Sequence, residues 1–342
     1  MRYLRYFISV IFLIIAFFVI SKEFKGNYYN IPLLFKEADK FIIFFLFIFQ
    51  GINYAGDGLL SQTLLNIAGF KVRLQDALKV AISGVVGNHV APFIGGTIVT
   101  YYSYKKLGVP VAIISFLVSV WTIFVWSTYI LFFLLSLLFL PNLFFKFVSP
   151  KIIFVILIAL ILILFIGFTL FRERGKYLIG ILKIFSNPIN IIIKIFNKKG
   201  LFNLEKFKKF ISDFHQSFFF LSKNKNKIPQ LLFFSLLFYF GDILTLYFSF
   251  LVFGFHPNFA MLIFGYSLSL ILTIVTLVPG APGVMEASLI VIFIGFGFPA
   301  HIVLFSSLLF RLFSYWLPLP FGILSYLRLK KSGDSQNGIK KL

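Results

Sequence analysis

Apolar residues come in long blocks separated by short polar joints, at about 4–20, 41–65, 80–100, 111–140, 152–170, 228–253, 259–278, 284–298 and 302–327. A helix needs about 20 predominantly apolar residues to cross a hydrocarbon core, and most of these blocks come close to or exceed that length. The third block does not read as a plain span. It holds Gly84, Gly87, Asn88, His89, Pro92, Gly95 and Gly96, and proline has no N–H to donate and fixes φ. This predicts a re-entrant or broken helix. A second interruption, Pro279-Gly280-Ala281-Pro282-Gly283, lies between two apolar stretches and is followed at once by Glu286. In hydrocarbon, unpaired backbone groups cost several kcal/mol, so broken backbone persists there only where protein or a watery cavity shields it. The two breaks together predict a polar pocket inside a membrane.

Charge sets the expected topology. Lys71, Arg73 and Lys79 precede the third block, and Lys105 and Lys106 follow it. Basic loops stay on the cytoplasmic side, so both flanks face one way, which a re-entrant segment satisfies. With the N-terminus, the 172–227 region and the tail also inside, the other eight blocks make eight crossings. The expected fold is an all-α polytopic membrane protein, with about eight transmembrane helices plus re-entrant or broken helices in two weakly similar halves. It forms one integral membrane domain over 1–330, divided into a first half (about 1–170), a basic amphipathic insert (172–227) and a second half (228–330). The polar tail, 331–342, is expected to lack regular structure. The expected location is the cell membrane, with both termini cytoplasmic. The halves echo each other: Pro92, Gly95 and Gly96 lead to Gly108-Val109-Pro110, and Pro279, Pro282 and Gly283 lead to Gly297-Phe298-Pro299. Paired interruptions in two halves point to a transport site at a repeat interface.

Composition narrows the class. The chain is 60% hydrophobic and 13% charged, against about 25% charged in soluble domains. The net charge of +21 is not a nucleic-acid footprint, because thirteen of the 32 Lys and Arg lie between Arg172 and Lys227 and five more between Arg328 and Lys341. Such clusters fit cytoplasmic retention and attraction to anionic lipid. Arg2 and Arg5 before the run from Phe7 to Ile20 resemble a signal peptide, but no small-x-small cleavage site follows; an uncleaved first span is expected. There are no cysteines, which excludes disulfides, thiolate catalysis and Cys-ligated metals. No phosphate-cradling loop, dinucleotide fingerprint, zinc-protease motif or nucleophile elbow is present. No cofactor is expected.

The chemistry rests on polar residues at membrane depth. Arg311 stands between Phe310 and Leu312 in the last block, where a charge costs at least about 2.5–3.5 kcal/mol. Glu286 is its expected partner, either as an ion pair that only fixes packing or as part of a headgroup site. Asp242 and Asp57 could pair with Arg311, face a watery cavity or sit near an interface. Asn88 and His89 could donate to a phosphate or satisfy freed carbonyls. Trp121 and Trp126 read as packing or belt residues. Ion coupling, if present, would use Glu286 or Asp242.

Two stretches carry a family resemblance. Asn88-x3-Pro92-x2-Gly95-Gly96 is similar to the first-half motif of the lysylphosphatidylglycerol synthase transmembrane-region, or flippase-like, family. The second half resembles it further in Val278-Pro279-Gly280-Ala281-Pro282-Gly283-Val284-x-Glu286, Gly297-Phe298-Pro299, Leu309-Phe310-Arg311, Trp316-Leu317-Pro318 and Phe321-Gly322. Thr97 to Tyr101 lacks the basic residue that the family often carries after its Gly-Gly pair. The aminoacyl-lipid synthases continue into a soluble catalytic domain, whereas this chain ends at Leu342.

The resemblance implies a membrane domain that binds or flips a lipid headgroup rather than an enzyme. Its expected partners are a phospholipid or lipid-linked substrate, anionic or aminoacylated, a separately encoded transferase and a second copy of the chain. The expected binding residues are Glu286, Arg311, Asn88, Pro92, Gly95, Gly96, Pro279, Gly280, Pro282, Gly283 and Asp242. The alternative is an intramembrane enzyme, or an accessory subunit of a lipid-modifying transferase.

Overall fold

The computed structural model describes residues 39–90, 94–140, 221, 223–276 and 284–339. The blocks at 4–20 and 152–170, and all of the basic insert up to residue 220, lie outside them. Among the described residues every regular element is helical. Four helical stretches are long and apolar enough to cross a membrane: Lys40–Ile67, Val111–Leu138, Lys225–Leu251 and Ala300–Leu329. The chain is an all-α polytopic membrane protein.

Helix α1 (Lys40–Ile67) is capped by Asp39, whose carboxylate accepts from the Phe41 N–H at 2.8 Å. It leads into α2 (Leu74–Val90) and α3 (Ile94–Lys106). At the usual rise per residue these two are only about 25 and 20 Å long, short of a full crossing. They run antiparallel. A Cβ on Gly87 would collide with the Gly95 backbone, while one on Gly84 would come within 3.7 Å of Thr100. The hairpin returns Lys105 and Lys106 to the end that carries Lys71, Arg73 and Lys79, as the charge pattern predicts. Helix α4 (Val111–Leu138) follows a turn with Gly108 at φ 81° and Pro110 at the N-cap.

The second half repeats this order. Helix α5 (Ile228–Leu251), α6 (Phe259–Thr276), α7 (Val284–Gly295) and α8 (Ala300–Arg311) occupy the corresponding places. Helices α6 and α7 also pack antiparallel: Gly265 lies against Phe293 and Ile292, and the Thr273 hydroxyl reaches the Met285 sulfur at 3.5 Å. The left-handed glycines fall at matching points, Gly69 with Gly254 and Gly108 with Gly297. Pro299 repeats Pro110 as an N-cap.

The last long stretch departs from the uniform span that its hydropathy suggests. After α8 the chain widens into a π turn, Leu312–Trp316, before α9 (Pro318–Ile339). In an α-helix the Pro318 ring would clash with the carbonyl of Ser314, four residues back. The wider turn accommodates it, with the Leu317 N–H donating to Leu312 O at 2.8 Å. The helical backbone of α9 continues to Ile339, through the stretch expected to be irregular.

Helices α1 and α5 meet at mid-length and are antiparallel. Gly56 abuts the Phe238 and Phe234 backbone, Gly241 abuts Asn53, and Gln50 bonds to Thr245 at 3.1 Å. Small residues at such crossings let backbones approach, and packing there replaces the hydrophobic drive that lipid removes. Because corresponding helices of the two halves run in opposite directions, the halves form an inverted repeat. Each half also supports the other's hairpin. Phe133 and Tyr129 of α4 stack on Phe264 and Tyr266 of α6, while Gly322 of α9 abuts Ile82 and Val86 of α2.

Candidate functional site

A cavity of about 540 Å³ lies where the hairpins and the crossing helices converge. Each half lines it, from Asn53, Asp57, Asn88, Gly96, Trp121 and Tyr129 to Asp242, Tyr266, Met285, Arg311 and Tyr315. Among its described lining residues, Arg311 is the sole cation.

Arg311 ends α8, and the π turn starts at the next residue, so the guanidinium is set at a change of helical pitch. Its Nε donates to Glu286 Oε1 at 2.7 Å, with the side chains only 12% and 16% exposed. Glu286 lies in the first turn of α7, where an acid also suits the positive end of the helix dipole. The guanidinium carbon stands 4.0 Å from the centre of the Tyr315 ring. That ring stacks on His89, centroids 3.6 Å apart. A continuous chain of contacts therefore runs from α7 through Arg311 and Tyr315 to the closed end of the first hairpin. It joins the two halves at the cavity wall.

The other predicted residues divide. Asn88 and Gly96 both line the cavity, but Asn88 Oδ1 accepts from the Gly96 N–H at 2.9 Å. Asn88 thus caps α3, its oxygen satisfying a backbone N–H, a role beside the two expected of it, donation to a phosphate or to freed carbonyls. Gly95 meets Gly87 and serves the hairpin's closure. His89 Nδ1 donates to Val85 O at 2.8 Å and its ring packs on Tyr315. Pro92, Pro279, Gly280, Pro282 and Gly283 lie outside the described residues.

Both aspartates face the cavity. Of the three alternatives for these residues, facing a cavity is the one the structure shows, and side-chain donors other than Arg311 hold them. Asp242 accepts from Tyr266 OH at 2.8 Å and from Gln50 Nε2 at 3.2 Å. Asp57 accepts from Trp121 Nε1 at 2.7 Å, so Trp121 lines the cavity while also packing, as expected, against Phe238. Gln50, Trp121, Tyr266 and Tyr315 were missed by the sequence reading. Only their aromatic or amide character at membrane depth hinted at them, and that is common in spans.

The family described as "Lysylphosphatidylglycerol synthase TM region" matches residues 4–322. The chain is similar to a UPF0104 membrane protein of Pyrococcus horikoshii, 27% identical over 178 residues. That match covers 51% of this chain and 52% of the relative, so the chain spans about half the length of the curated protein it matches.

Proposed function

The chain belongs to the lysylphosphatidylglycerol synthase transmembrane-region family, and from that premise we propose that its central cavity binds a membrane-lipid headgroup and carries it across the bilayer. The observation that carries this reading is the placement of Arg311. A guanidinium is costly in hydrocarbon, yet this one is built into the wall of a 540 Å³ cavity and steadied by Glu286 and Tyr315. Arginine matches phosphate oxygens with a planar fork of donors. Glu286 engages Nε, and the fork's terminal nitrogens are the part that receives an anionic group.

The inverted halves support movement as well as binding. Lys71, Arg73, Lys79, Lys105 and Lys106 stand at the open end of the α2/α3 hairpin, while residues 252–259 and 295–300, at the open end of the α6/α7 hairpin, contain no Lys or Arg. By the positive-inside rule the hairpins enter from opposite faces, the first from the cytoplasm. A site between two oppositely inserted halves can be exposed to each face in turn by rocking one half against the other.

The test is leaflet exchange of labelled phosphatidylglycerol in liposomes holding the purified protein. The wild type speeds exchange and returns the lipid chemically unchanged, whereas Arg311→Ala inserts but does not exchange. Normal exchange in Arg311→Ala ends this reading, and a covalently altered lipid would favour an enzyme instead.

A further inference from the structure

The two cavity aspartates occupy the same place in the two halves. Tyr54-Ala55-Gly56-Asp57 on α1 repeats as Tyr239-Phe240-Gly241-Asp242 on α5, and the same 185 positions separate Asp57 from Asp242 and Gly69 from Gly254. The helix crossing obeys the same symmetry: Gly56 meets Phe238 as Gly241 meets Asn53. A pseudo-twofold axis therefore passes between positions 54 and 55 of α1 and between their counterparts on α5. Each aspartate lies two to three residues beyond that axis, toward the C-terminal end of its own helix. Because the helices are antiparallel, the carboxylates are displaced in opposite directions, each by about 4 Å at 1.5 Å per residue. Asp57 is offset toward the end with Lys71 and Arg73, and Asp242 toward the end with His256.

Neither carboxylate is ion-paired among the described residues, in contrast to Glu286. Arg311 acts on Asp242 across the cavity without bonding to it, and a carboxylate at membrane depth remains expensive, a cost that a bound proton would remove. The immediate neighbours favour a proton over a metal ion. Trp121 Nε1–H, Tyr266 O–H and Gln50 N–H all point donors at the carboxylates, and an indole nitrogen can only donate. A hard metal cation prefers several carboxylate oxygens in one shell, and no group of three His, Asp or Glu side chains that could hold a metal occurs among the described residues. A proton needs only one carboxylate oxygen. The ionisable groups around the pair are Tyr54, Tyr104, Tyr129, Tyr239, Tyr266 and Arg311, with Glu286, His89 and Tyr315 behind Arg311.

Resting on the headgroup reading above, we infer that Asp57 and Asp242 are paired proton sites, one serving each membrane face, that couple lipid movement to a proton gradient. In each cycle one carboxylate oxygen takes a proton from the face then open and gives it up to the other face after the halves rock. This assigns coupling to the two aspartates and leaves Glu286 to hold Arg311.

Two measurements test it. Infrared titration of the purified protein in detergent should show a protonated-carboxyl band that grows with acid. The band should weaken in Asp57→Asn and in Asp242→Asn and persist in Asp57→Glu. In liposomes, an imposed pH gradient should bias labelled phosphatidylglycerol toward one leaflet. Each Asn variant should lose that bias. If neither Asn substitution diminishes the band, or a sodium gradient drives the bias and a pH gradient does not, the coupling proposal is overturned. Wild-type exchange that shows no bias under a pH gradient overturns it too, while leaving the headgroup reading in place.

Discussion

Arg311 and Glu286 stand 25 positions apart and meet through a 2.7 Å bond. The short turn at Gly297-Phe298-Pro299 makes that meeting possible, since it folds α8 back beside α7. Pairing resolves a cost that neither residue could bear alone. Removing one partner of a buried pair typically costs about 3–5 kcal/mol, whereas replacing both with apolar residues is often neutral.

Arg311→Met should therefore destabilise the protein by several kcal/mol, and Arg311→Met with Glu286→Met should recover most of that loss. Thermal unfolding in detergent measures both. Lipid exchange should stay abolished in the double variant. Recovered exchange would show that the guanidinium serves packing alone.

The α2/α3 hairpin closes through backbone contact, so Gly87→Ala and Gly95→Ala should each lower stability by at least the 1–3 kcal/mol typical of overpacking. Gly84→Ala is the control. Its added Cβ would meet its nearest neighbour at 3.7 Å, an ordinary contact, and its melting temperature should barely move.

Trp121→Phe keeps an aromatic ring against Phe238 but deletes the donor to Asp57. Tyr266→Phe does the same for Asp242. Hydrogen bonds to charged groups contribute about 1.5–3 kcal/mol. The two variants should shift the infrared carboxyl titration in the same direction, toward easier protonation, since each removes a donor that stabilises the anion. Opposite shifts would contradict the equivalence of the two sites.

The absence of cysteine allows sidedness to be read directly. A cysteine replacing Lys106 should react with an impermeant maleimide from the cytoplasmic face, and one replacing His256 from the opposite face. Labelling of both from one face would refute oppositely inserted hairpins.

Much of this plan was legible in the chain. Lysines on both flanks of a Gly- and Pro-rich block announced the first hairpin, because charge and backbone chemistry are local signals. Glu286 and Arg311 were readable as partners because so few charges occur at that depth. The Tyr-x-Gly-Asp repeat was harder to see: only three identities carry it, and its meaning depends on two helices crossing antiparallel. Trp121 and Asp57 are 64 positions apart, so no local pattern could join them. The π turn escaped because Pro318 says that the helix must change without saying how. The matching of α6 and α7 to α2 and α3 emerged only from packing, since the second hairpin lacks the basic flanks that marked the first.

The exchange of supports between halves has a bearing on biogenesis. His89 is synthesised 226 positions before Tyr315, the ring that stacks on it. At about 5–20 residues per second, the first hairpin waits roughly 10–45 s for the helix that completes its wall. During that interval its closed end must be chaperoned by lipid, by the insertion machinery or by earlier helices. A nascent chain halted before α8 would therefore expose a half-built chamber, a natural target for membrane quality control.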